Sequence, residues 1–134
     1  MKTGCVSLGD ITVTTAGTQT TDWVEDFDGI LAMLAQIRLA YGSGGTSIRV
    51  YLQTSLDQGT TIADIACVVF GVASEVAVLN FSGLTPKTQV TPSDGALTDD
   101  TVVDGVLGDR FRIKVVSVGT YAGSTVVSAR VHPR

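Results

Sequence analysis

The segment from Ile30 to Asp64 constrains the fold more than any other, because two apolar-alternating runs flank a glycine cluster and a second turn leads into a third strand. Leu31, Met33, Ala35, Ile37, Leu39 and Tyr41 repeat at every second position, with Gln36 and Arg38 between them. A period of two places one set of side chains on each face of a strand, whereas a helix of the same residues would carry a stripe at three to four. Ala, Leu, Met, Gln and Arg are good helix formers, and Asp28 is a suitable cap, so propensity and period disagree here. The period argues for a strand over Ile30 to Ala40. Gly42-Ser43-Gly44-Gly45 then reads as a hairpin loop into a partner strand at Ile48 to Gln53. Leu56-Asp57-Gln58-Gly59 reads as the turn of a second hairpin into Thr60 to Phe70.

The rest of the chain continues this rhythm. Ile11 to Thr14 alternates β-branched and polar residues, which predicts a first strand near residues 10 to 16. Further strands are expected at Glu75 to Phe81, at Arg110 to Val118 and at Thr125 to Val131. Pro86 restricts Thr85 to Val90 to an edge or a bend. Thr91 to Asp109, rich in Asp-Gly pairs, reads as a structured loop with one helical turn. Seven or eight short strands with frequent turns predict a single all-β domain over residues 1–134, an antiparallel β-sandwich, with a jelly roll as one form of it.

Composition narrows the function classes. The 134 residues suffice for one self-contained core. No apolar run reaches the ~18 residues of a membrane helix, so no membrane partner is expected. The net charge of −4 argues against direct nucleic-acid binding, which uses basic patches. The mean hydropathy is positive, which predicts that neighbouring subunits cover apolar surface in a homo-oligomer. The N-terminus shows no apolar stretch of a secretory signal, so synthesis and retention in the cytoplasm are expected.

Chemistry-bearing residues are sparse. Cys5 and Cys67 are the only thiols, far apart and without a CxxC pattern, and both are expected free, Cys67 within an apolar strand. His132 is the single histidine, with no partner in the local sequence, and it is expected on the surface. No catalytic set, cofactor site or metal site is therefore expected. Asp94, Asp99, Asp100, Asp104 and Asp109 have the residue type for a hard cation, but their spacing matches no calcium loop and Asp-Gly pairs are common turn formers. Asp64 and Glu75 fall near adjacent predicted strands, the one pairing of carboxylates worth weighing for glycoside hydrolysis; strand-end acids are the plainer reading. The glycines at 42–45 lack the GK[ST] ending of a phosphate loop.

Two surfaces stand out as candidate interfaces. Trp23 and Phe27 lie in the acidic segment Asp22 to Asp28, and aromatics rimmed by charge are typical anchors of binding interfaces. Arg110, Arg112 and Lys114 alternate with Phe111, Ile113 and Val115, which aligns three cations on one strand face. Such a strip suits an acidic partner, including the Asp22 to Asp28 region of a second copy, or it is an ordinary solvated face.

Two stretches, YGSGGTSIRVYLQTSLDQGTTIADIACVVF (Tyr41 to Phe70) and DGALTDDTVVDGVLGDRFRIKVVSVGTYAGSTV (Asp94 to Val126), resemble small structural proteins encoded in tailed-phage and prophage morphogenesis clusters. The resemblance covers about half of the chain. Where those relatives place a Trp after the glycine-threonine turn, this chain has Ile62. The resemblance implies a non-enzymatic virion protein made in the bacterial host's cytoplasm. Its first implied role is an accessory capsid protein, a decoration or cement subunit bound between capsomers and touching the major capsid protein. A head-tail connector or tail component is the alternative within that class. A carbohydrate- or host-binding jelly roll is a further alternative, and its aromatic platform would draw on Trp23, Tyr41, Tyr51 and Tyr121.

Overall fold

The computed structural model describes residues 4–84 and 88–134. Eleven strands form, and no helix is present among the described residues: β1 (Val6–Thr12), β2 (Gly17–Thr20), β3 (Ala32–Ala40), β4 (Ser43–Gly44), β5 (Ser47–Ser55), β6 (Ala63–Phe70), β7 (Glu75–Ser82), β8 (Thr101–Val102), β9 (Arg110–Val118), β10 (Tyr121–Ala122) and β11 (Val126–Pro133). One antiparallel sheet has the order β1-β11-β3-β7, and a second has the order β2-β9-β5-β6-β8. The two-residue β4 and β10 pair with each other at one end. Leaving out the two-residue strands, eight strands divide evenly between two sheets. The chain changes sheet at every connection except the β5–β6 hairpin, which is the arrangement of a jelly roll.

The alternation read from the sequence is the packing rule. Met33, Ala35, Ile37 and Leu39 of β3 face inward, as do Val127, Ala129 and Val131 of β11. Ile48, Val50 and Leu52 of β5 and Phe111, Ile113 and Val115 of β9 meet them from the other sheet, making one shared core. Burial of these side chains, worth about 1.5–3 kcal/mol each, is the main force that joins the layers.

The structure corrects several local expectations. Residues 42–45 do not close a hairpin: β3 pairs with β11 and β7, whereas β5 pairs with β6 and β9. The glycines instead turn a corner between the two sheets. Gly44 and Gly45 have φ of 74° and 75°, and a Cβ at Gly45 would land within the Tyr121 ring, so the corner needs both the left-handed backbone and the missing side chain. Leu31, expected on the inward face of β3, is 58% exposed, because it precedes the strand. The first strand begins at Val6 rather than near residue 10, since a register shift between Ser7 and Gly9 lets the chain extend along β11. The expected helical turn in 91–109 is absent; the segment spans the outer surface and contributes β8 to the edge of β6. Of the expected edge at Thr85 to Val90, residues 85–87, including Pro86, lie outside the described residues.

Candidate interaction surface

Strand β9 carries the basic strip on the outer face of its sheet, and its register against β5 sets each cation beside a defined partner: Arg110 opposite Ser55, Arg112 opposite Gln53 and Lys114 opposite Tyr51. The strip is satisfied within the chain. Arg110 donates to Asp109 Oδ1 at 3.0 Å and to Glu25 Oε1 at 2.9 Å. Arg112 donates to Gln53 Oε1 at 2.9 Å and lies with its guanidinium carbon 4.5 Å from the centre of the Trp23 ring. Lys114 donates to Asp94 Oδ1 at 2.9 Å. The place envisaged for the acidic segment of a neighbouring copy is thus taken, at Arg110, by this chain's own Glu25.

That segment is not a free loop. Thr21 N donates to Ile113 O, Val24 and Phe111 exchange backbone bonds in both directions, and Phe27 N donates to Asp109 O, which extends β2 along β9. Of the two aromatics, Phe27 is fully buried and meets Phe111 edge to face at 5.0 Å between ring centres. It is a core residue and offers nothing to a partner as folded. Trp23 is half-buried on the opposite, outward side, stacked on Arg112.

Asp64 organises the neighbouring surface. It is 3% exposed. Its carboxylate accepts from Gln53 Nε2, from Ser93 Oγ and from the backbone N–H groups of Gly95, Ala96 and Leu97 at 2.8–3.3 Å. Gln53 Nε2 also donates to Asp94, so Gln53 joins Asp64, Asp94 and Arg112 in one network. Glu75 lies on β7 in the other sheet and is exposed. The Asp64–Glu75 pairing weighed for glycoside chemistry is therefore not formed.

The remaining acids of the 94–109 segment each have protein partners. Asp99 pairs with Arg49 at 2.7 Å, Asp100 accepts from Val69 N, Asp104 accepts from Ser82 N, and Asp109 holds Arg110. They are spread along the surface, and no group of three or more His, Cys, Asp or Glu suited to a metal ion occurs among the described residues. Hydrogen bonds from Lys114, Arg49 and Arg110 hold the Asp94, Asp99 and Asp109 carboxyls below their usual range. Groups with a depressed folded-state pKa stabilise the fold above the unfolded pKa and lose that contribution as pH falls through the folded one. The melting temperature is therefore expected to hold between pH 7 and pH 5 and to fall below about pH 4, with a shallower acid limb in Asp94→Asn; calorimetry across that range checks both.

Sequence reasoning missed the Cys5–His132 contact, in which Sγ lies 3.6 Å from Nδ1. The two residues stand at opposite ends of the chain and meet only because β1 pairs with β11, so no local pattern announces them. Cys67, by contrast, is buried, and burial raises its thiol pKa. Of the aromatics weighed for a sugar platform, Tyr51 and Tyr121 are 5% and 2% exposed and belong to the interior.

The four sheet edges differ sharply. Strand β2 has four residues and β8 two, while β1 is broken by its register shift and carries Asp10. Strand β7, EVAVLNFS, runs eight residues in unbroken register with β3 and contains no Lys, Arg, Pro or Gly. Its Val76 and Val78 are 56% and 68% exposed on the outer face, with Leu34 of β3 on that same face. Short length, bulges, charges and prolines are the usual protections of an edge, and β7 has none of them along its middle. The chain is thus a jelly-roll module whose β9 cations find partners within the chain and whose β7 edge is bare, with exposed valines beside Leu34, Gln36 and Arg38 of β3. No family model matches this chain, and no curated protein matches it.

Proposed function

We propose that this chain is a non-enzymatic virion structural protein of a tailed phage or prophage, an accessory capsid subunit that stabilises the shell through contacts between copies and with the major capsid protein. The observation that carries this reading is the unprotected β7 edge with its exposed valines, a surface suited to protein partners. The resemblance of Tyr41 to Phe70 and Asp94 to Val126 to phage morphogenesis proteins supplies the setting. Trp23, held by Arg112, is the aromatic contact offered to the shell on the other sheet. Burial of Tyr51 and Tyr121 counts against the host-binding alternative.

The test is the composition of particles released by a strain that encodes the chain. Mass spectrometry of purified heads and tails is expected to find it in heads at a fixed ratio to the major shell protein. Recovery from tails or necks alone makes it a connector or tail component, and absence from the particles overturns the virion reading.

A further inference from the structure

We propose that β7 is the seam of a twofold dimer of this chain, formed by antiparallel pairing of β7 with β7 of a second copy so that Val78 lies opposite its own counterpart. The inference deepens the assembly part of the proposed role and takes only its biological setting from it.

The backbone sets the register. Ser82 N donates to Asp104 Oδ1 and Ser82 O accepts from Gly105 N, so both groups of Ser82 point away from β3, while Gly83 N donates to Leu31 O on the β3 side. Backbone groups alternate sides along an antiparallel strand. Val76, Val78 and Asn80 therefore direct their N–H and C=O groups outward, and no partner for them occurs among the described residues.

A partner must match this short row, whose C-terminal end is closed by residues 104 and 105. A second β7 does so when Val78 pairs with Val78, Val76 with Asn80 and Asn80 with Val76. Each pair is then of the hydrogen-bonded kind, with two bonds, and every free group is used. Sliding the register by two residues in either direction calls on Ser82, already bonded, or runs past Glu75 at the start of the strand. The charges agree as well: the two Glu75 side chains fall at opposite ends of the seam, and no like charges face each other. Half-buried Leu79 and Ala77 would cover each other on the inner face, and Val78 would meet Val78 on the outer one. The result is one continuous eight-stranded sheet across two sandwiches.

A single strand edge buries less than the ~1,200 Å² of a standard stable interface, so the dimer is weak and fills only at high concentration or on a particle where copies are crowded. Sedimentation velocity of the full chain is expected to show a monomer–dimer equilibrium that shifts with concentration. Val78→Pro removes the central N–H, which faces away from β3, and is expected to weaken dimerisation about tenfold or more. Val78→Lys leaves the backbone intact, opposes two cations at the twofold and is expected to do the same at unchanged melting temperature, which covers a folding failure of the proline variant. For the register, Val78→Cys in a Cys5→Ser background is expected to cross-link under mild oxidation, because opposite Cα atoms lie about 5.5 Å apart. Val76→Cys in that background is expected not to, since its counterpart is displaced by about 13 Å along the strands. A chain that stays monomeric at every concentration, folded Val78→Lys that dimerises like the parent, or cross-linking of the Val76→Cys variant in place of the Val78→Cys variant overturns the seam. None of these outcomes bears on whether the chain is found in particles.

Discussion

Asp64→Ala is expected to lower the free energy of unfolding by about 4 kcal/mol, more than any other change to a charged residue of this chain. The carboxylate is almost wholly buried and accepts bonds from two side chains and three consecutive backbone amides. Removing it strands Gly95, Ala96 and Leu97 N–H groups and one arm of Gln53, and each buried donor left without an acceptor costs about 1–3 kcal/mol. Some of that cost is recovered where the 93–97 segment lifts and its amides reach water, so the total stays well below the simple sum. Asp64→Asn keeps one acceptor oxygen but turns an NH₂ toward amides that also donate, and is expected to lose about half as much. Urea unfolding followed by fluorescence of the single Trp23 measures both, and amide exchange at residues 95–97 separates local release from global loss. A loss under about 1 kcal/mol for Asp64→Ala would mean that these bonds do not hold the segment.

The same residue shows where sequence reading succeeds and where it stops. Alternation locates β3, β5, β9 and β11, because a side-chain period of two is written directly in the order of residues, while β6 and β7 are apolar runs marked off by the Leu56–Gly59 turn, Gly71 and Gly83. Pairing is not written there. The Gly42–Gly45 cluster looks like a hairpin loop, but it turns a corner between layers, and only contacts with Gly123, Ala122 and Tyr121, some eighty residues later, reveal that. The basic strip at Arg110, Arg112 and Lys114 is legible as three cations on one face; the acceptors that meet it, Glu25, Gln53 and Asp94, depend on segments brought in by the fold. Asp64 reads in the sequence as a strand-end acid, weighed against Glu75 for glycoside chemistry, yet its role as an acceptor for a distant loop follows from tertiary placement. The openness of β7 lies between these cases: its lack of Lys, Pro and Gly is visible in EVAVLNFS, but only the sheet order makes it an edge.

Phe27→Ala and Trp23→Ala, four residues apart in one acidic segment, are expected to behave oppositely. Phe27 is 0% exposed, packs edge to face on Phe111, and sits under the backbone bond from its own N–H to Asp109 O. Truncation opens a cavity between the sheets and loses an aromatic pair, for a cost of about 3–5 kcal/mol, enough to unfold a marginal domain at moderate temperature. The amides of Val24 and Phe111, which zip the segment to β9, are expected to lose exchange protection with it. Trp23 faces the other way. Its loss removes half-buried area and a cation–π contact with Arg112 worth about 0.5–1 kcal/mol, so the domain should remain folded with a cost of about 1–2 kcal/mol. What Trp23→Ala is expected to impair is attachment to shells assembled without this chain, measured by co-sedimentation, while self-association through β7 stays as in the parent. A Trp23→Ala protein that binds such shells with full occupancy would remove Trp23 from the shell contact, and a Phe27→Ala protein as stable as the parent would refute the core position of Phe27.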